Sequence, residues 1–129
     1  AEIYESYQST FATDPAFRTP VHRGRIDHAY HLYILRVVAE RAGFNRDRFV
    51  EELADRNISS SVHFIPIYRH SYYAKKYGFD PQDFPHCEAA YSEIISLPLY
   101  PALSDQDVTD VIHAVEDIRS SYGQRRAAA

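Results

Sequence analysis

The stretch SSSVHFIPIYRHSYYAKKYGFD, Ser59 to Asp80, carries His63 and His70, both of the chain's lysines, Lys75 and Lys76, and several tyrosines. The chain's seven histidines invite a metal reading. His28 and His31, however, fall on opposite faces of an expected strand. His63 and His70 are parted by a proline, and no Cys/His or His/Glu spacing matches a metal frame. No metal site is expected. Cys87 falls on the apolar stripe of a helical pattern, where a small buried thiol is the plainer reading than a nucleophile. No G-x-S-x-G elbow is present, and the four glycines are scattered singly, so there is no phosphate-cradling loop.

His63 stands apart. If Ser60–Ile65 is a strand stopped by Pro66, Val62 and Phe64 share one face while Ser61, His63 and Ile65 share the other. Its ring would then bond a nearby carbonyl at the sheet margin, or it would offer a polar contact to a ligand, with Tyr68, Tyr72 and Tyr73 adding apolar faces and hydroxyls.

The elements that must position these residues follow from periodicity. Glu2–Thr13 reads as a helix with Ile3, Tyr4, Tyr7 and Phe11 on one face, ending before Asp14-Pro15. Phe17–Asp27 is irregular, broken by Pro20 and Gly24. His28–Val38 is the strongest strand, apolar on both faces and therefore central, with His31 and Tyr33 packed in the core. Asn45 caps a helix over Arg46–Arg56 with the stripe Phe49, Val50, Leu53, and Asn57 suits a left-handed position after it. Ser71–Tyr77 is a short helix closed by Gly78. Pro85 opens another, with Cys87, Tyr91, Ile94 and Ile95 on one side. Ser96–Pro101 suits an edge strand, and Ser104 with Asp107 begins a final helix whose stripe is Val108, Val111, Ile112, Val115 and Ile118. The order α-β-α-β-α-α-β-α predicts an α+β domain: a small, mainly antiparallel sheet of three to four strands, with helices packed mostly on one face.

The 129 residues suit one domain, and a chain of that size buries roughly two-thirds of its unfolded surface. A net charge of -4 argues against nucleic acid as the main partner. No apolar run approaches the roughly 20 residues a membrane helix needs, so no membrane partner is expected. A single cysteine fits a reducing cytoplasm. The sequence contains no methionine and opens inside a helical pattern, which suggests a piece of a longer protein. The 11 tyrosines and 7 phenylalanines exceed what such a core needs, so some are expected to face a neighbour or ligand.

Three blocks carry a resemblance: HAYHLYIL, then RDRFVEELADRNISSSVHFIPIYRHSYYAKKYGF, then DFPHCEAAYSEIISLPLYPALSDQDVTDVIHAV. Together, from about His22 to Ile118, they resemble the C-terminal small domain of DegT-type sugar aminotransferases, fold type I enzymes that use pyridoxal phosphate (PLP). HFIP and FPHCEAAYSEIISLPLYPALS are the most specific. The resemblance implies that residues 1–16 end an interdomain helix, 17–122 form the small domain and 123–129 are a frayed tail. It implies a parent enzyme that moves an amino group from an amino acid, glutamate by preference, to a nucleotide-linked keto-sugar, in particular a UDP-4-keto-6-deoxy sugar. A sugar dehydratase of the same family and a non-catalytic interaction module are the alternatives.

Within the resemblance, the Schiff-base lysine, the partner of the pyridine nitrogen and most phosphate ligands belong to an N-terminal domain, which is the expected partner. No residue of this chain is expected to be catalytic or to bind PLP, and the chain alone should be inactive. Homodimerisation of the intact protein is also implied. His63 matches the family's VHY histidine, which lines the cleft near the sugar nucleotide. Tyr68 stands where histidine is frequent, and both are expected substrate-binding residues. Phe64 replaces the usual tyrosine and Asn57 the usual glycine. Glu88 and Ser96–Pro98 match strongly and are expected to fix the domain's shape.

Overall fold

The structure, a computed structural model, describes residues 1–21, 24 and 26–127, with side chains through residue 124. His22, where the resemblance was expected to begin, and the last two residues of the expected tail lie outside the described residues.

Helix α1 (Glu2–Phe11) buries Tyr4, Tyr7 and Phe11, one face at helical spacing. It ends at Phe11, and at Asp14 the Oδ1 accepts from the Ala16 N–H at 2.8 Å, where the chain turns toward the sheet. That sheet has three antiparallel strands in the order β1 (Phe17–Arg18), β2 (Tyr33–Val37), β3 (Ile94–Leu97). Tyr33, Leu35 and Val37 of β2 are fully buried, while Ile34 and Arg36 between them are only half-buried. The central position agrees with the sequence; the two-sided apolarity does not. Arg36 on the second face pairs with Glu93 at 2.8 Å, with Arg18 beside it.

The strand is also shorter than expected. Its last pair, Tyr33↔Leu97, is followed by Pro98, which has no N–H to continue the ladder. Before it, the Tyr30 N–H donates to His28 Nδ1 at 2.9 Å, in a turn with Tyr30 at φ 47°. His28 and His31 therefore lie outside the strand and are exposed, which corrects both the opposite-face placement and the core role given to His31. Phe17–Arg18, expected to be irregular, pairs with Val37 and Arg36.

Helix α2 (Ala39–Ala42) is one turn closed by Gly43 at φ 83°, too short to announce itself by periodicity. Helix α3 (Arg46–Asp55) begins where the Asn45 side chain accepts from the Arg48 N–H. It ends in a Schellman arrangement: Asn57 is left-handed at φ 60°, its N–H reaches Ala54 O, and Ile58 N–H reaches Leu53 O. Helix α6 (Asp105–Ala127) opens with reciprocal bonds between Ser104 and Asp107 and buries Val108, Val111, Val115 and Ile118. It continues through residues 123–127, where a frayed tail was expected. Helices α1, α3 and α6 supply one continuous core with the Tyr33 face of the sheet. Tyr4 and Tyr7 meet Tyr33 edge-on at 4.9 and 5.1 Å, contacts worth about 0.5–1.5 kcal/mol each beyond area burial.

The expected strand Ser60–Ile65 does not form. Only Ser61 pairs, bridging Ser96 through Ser61 N–H to Ser96 O (3.2 Å) and Ser96 N–H to Ser61 O (2.7 Å). From that bridge the antiparallel register reaches Pro98 after Leu97 on one side and helix α5 (Pro85–Glu93) after Ile95 and Ile94 on the other, and none of these further pairs forms. Phe64 and Ile65, which strand alternation would have put on opposite faces, both emerge exposed, at 74% and 52%. Helix α4 (Ser71–Tyr77) is closed by Gly78 at φ 66°, as expected.

Candidate functional site

The bridge at Ser61 brings the next turn of chain against the open face of the sheet. Ser96 lies opposite Ile34 in the ladder, so its side chain points away from the Tyr33–Leu35 core. It is nonetheless 5% exposed, because the Ser61–Pro66 segment covers it. His63 Nδ1 lies 2.9 Å from Ser96 Oγ, which fixes the ring on this face. The Phe64 ring meets that of His63 edge-on at 4.7 Å. His63 is half-buried, with exposed Phe64, Ile65 and Ile67 following it along the chain. A polar ring held from behind and bordered by exposed apolar side chains suits a ligand with both polar and apolar parts.

Tyr68 is anchored differently. It is buried, stacked on Phe84 at 4.4 Å, and its hydroxyl donates to Glu88 Oε1 at 2.8 Å. Arg69 Nε donates to the same oxygen at 2.8 Å, and its Nη2 pairs with Glu88 Oε2. Arg69, against some desolvation and with help from the Tyr68 hydroxyl, pulls the Glu88 carboxyl down to about 2. Burial, then Cys87 and Glu88, push the Tyr68 phenol up. Glu88 thus clamps the 3₁₀ turn Ile67–Arg69 to α5, in keeping with the structural role expected for it. His63 and Tyr68 are each tied to the α5–β3 segment, one through Ser96 and the other through Glu88.

Ser96 and Arg69 were not singled out as site residues. Ser96 would have been visible as the one polar side chain between Ile95 and Leu97; Arg69 had no signal beyond its charge. Cys87 is exposed, which corrects the buried-thiol reading. The half-buried positions of α5 are Glu88, Ala90, Tyr91 and Glu93; the Arg46 and Arg69 guanidinium groups each lie 5.3 Å from the Tyr91 ring, so polar contacts seat this helix in place of an apolar stripe.

The two lysines lie on α4 and are exposed, with Lys76 Nζ donating to the Tyr72 hydroxyl at 3.0 Å. An amine that forms a Schiff base needs a desolvated site, so the described residues do not fit a PLP pocket. Among the described residues no three His, Cys, Asp or Glu side chains gather as a metal site, and no helix is long and apolar enough to cross a membrane.

The described residues form a small three-stranded α+β domain with His63 held against Ser96. The chain belongs to the DegT/DnrJ/EryC1/StrS aminotransferase family, whose pattern it matches over residues 1–116. It is 46% identical over 118 residues to the spore coat polysaccharide biosynthesis protein SpsC of Bacillus subtilis, covering 91% of this chain and 30% of that protein. Its fold superposes on Spr1654 from Streptococcus pneumoniae, solved in a PLP form (TM-score 0.80, 30% identity, 94% of this chain and 30% of that one). It also superposes on PseC of Helicobacter pylori, an aminotransferase involved in pseudoaminic acid biosynthesis (TM-score 0.81, 25% identity, 93% and 32%). The chain spans about 30% of the length of these relatives. PLP is the family's cofactor.

Proposed function

We propose that this chain is the small domain of an enzyme that transfers an amino group from an amino acid, glutamate by preference, to a nucleotide-linked keto-sugar, in particular a UDP-4-keto-6-deoxy sugar. PLP is held by an N-terminal domain, the intact protein is a cytoplasmic homodimer, and the 129-residue chain alone is inactive. The observation that carries the reading is His63, held by Ser96 on the open sheet face at the position that resembles the family's sugar-facing histidine. Family membership and relatives named for polysaccharide and sugar-acid biosynthesis support the substrate class. The exposure of both lysines supports the inactivity of the chain alone. The lone exposed thiol of Cys87 suits a reducing compartment.

The test is the product. Incubating the full-length protein with glutamate and UDP-4-keto-6-deoxy sugars should yield amino-sugar and 2-oxoglutarate in equal amounts by mass spectrometry. Loss of a sugar hydroxyl without 2-oxoglutarate would replace the proposal with the dehydratase reading. Turnover by the 129-residue chain alone would overturn its inactivity.

A further inference from the structure

We infer that Ser96 is a positioning residue that sets the tautomer of His63, so that the ring offers Nε2–H as a donor to an acceptor oxygen of the sugar nucleotide. This rests on the reading of His63 as a substrate contact and adds the direction of its hydrogen bond.

The argument begins with the serine proton. Ser96 is 5% exposed, and a buried hydroxyl needs an acceptor for its O–H. Among the described residues the hydroxyl's hydrogen-bond partner is His63 Nδ1, at 2.9 Å. The Ser96 backbone is already spoken for, since its N–H and C=O both pair with Ser61. If the ring carried its proton on Nδ1, the serine would accept and its own proton would be left buried without a partner. The arrangement that satisfies both groups has the Ser96 hydroxyl donating to a bare Nδ1. A neutral imidazole then holds its proton on Nε2, the nitrogen facing away from Ser96. That nitrogen seeks a lone pair, so it selects a carbonyl, phosphate or hydroxyl oxygen acting as acceptor. The bridge between Ser61 and Ser96 makes the geometry reproducible, because it fixes the backbone two residues before His63 to the strand that carries the serine.

Two measurements test this. In mildly alkaline buffer, where imidazoles are neutral, two-bond proton–nitrogen correlation spectra of the nitrogen-15-labelled chain report the protonated nitrogen of each histidine. The His63 signal is assigned by its loss in His63→Asn. It should show a bare Nδ1 and a protonated Nε2, and Ser96→Ala should shift it toward a tautomer mixture. A His63 proton on Nδ1 in the unaltered protein, or a spectrum unmoved by Ser96→Ala, overturns the inference without reliance on any variant's activity.

In the full-length protein, Ser96→Ala should raise KM for the keto-sugar roughly three- to tenfold. The half-reaction with the amino donor should stay near its original rate, and Ser96→Thr, which keeps the hydroxyl, should restore KM. If His63→Ala itself leaves the sugar KM unchanged, the substrate-contact reading fails and this inference with it. If His63→Ala raises KM and Ser96→Ala does not, the positioning role alone fails.

Discussion

Replacing Glu52 by glutamine should produce a stability loss that is large at neutral pH and gone in acid. Glu52 lies on α3, its side chain 10% exposed, and bonds three partners. Arg56 Nη1 donates at 2.7 Å, Arg48 Nη2 at 2.6 Å and the Tyr122 hydroxyl of α6 at 3.0 Å. Arg56 foremost, then Tyr122 and Arg48, outweigh burial and bring the carboxyl down to about 2. An ordinary glutamate, as in the unfolded chain, titrates near 4.3. The folded state therefore prefers the ionised form. The stabilisation is fully present above the unfolded value and is lost as pH falls from about 4.3 toward about 2.

Hydrogen bonds to a charged group contribute about 1.5–3 kcal/mol, and the half-exposed Arg48 places the sum toward the lower end, about 2 kcal/mol. At roughly 2.1 cal/mol/K of unfolding entropy per residue, a chain of this length shifts its Tm by about 4 °C per kcal/mol. Thermal unfolding followed by circular dichroism should show Glu52→Gln about 8 °C below the unaltered chain at pH near 7, the two curves converging as pH approaches 2. A difference that persists undiminished in acid would refute the reasoning, since the loss would then come from packing and not from charge.

Two smaller predictions concern backbone and clamp. Asn57, at φ 60°, should tolerate glycine within a few tenths of a kcal/mol, whereas Asn57→Val should cost about 1–2 kcal/mol by urea denaturation, because a β-branched side chain clashes in that conformation. Tyr68→Phe should cost about 1 kcal/mol by the same assay and close to nothing when Glu88 is already alanine, because the hydroxyl's stabilisation passes through that carboxylate. Equal costs in both backgrounds would assign Tyr68 to packing alone.

What could be read without coordinates was mostly local. The Asn45 cap, the left-handed Asn57, the Gly78 stop and the Ser104–Asp107 box each depend on residues within one turn, and each formed. The central place of Tyr33–Val37 was expected from apolarity on both faces, a ground that Arg36 on the second face does not bear out although the position is central. The path of Ser60–Ile65 was not legible, because its one pairing joins Ser61 to Ser96, more than thirty residues away. Cys87 was misread because α5 is seated by Arg46 and Arg69 against Tyr91, contacts that apolar periodicity does not register. His63 was singled out on the alternation of a strand that does not form, so its place against Ser96 was not read from the sequence. Its partner Ser96 was seen only as shape, since nothing in local spacing relates two residues 33 positions apart. The aromatic surplus has a physical counterpart in Phe64, Tyr72 and Tyr77, all more than half exposed.

Pro98 has a consequence for how this chain behaves in a crowded solution. The sheet has two rims: β1, two residues long, and β3, four residues long, stopped by Pro98 and covered at Ser96 by Ser61. A rim that offers so few free amide and carbonyl groups is a poor template for a foreign strand. Side chains such as Phe64 and Ile65 can still stick to a neighbour, but the backbone gives such contacts no ladder to extend. Association of separately produced chains should therefore be reversible and side-chain-driven, not the ordered fibrillar growth that a long open rim would seed.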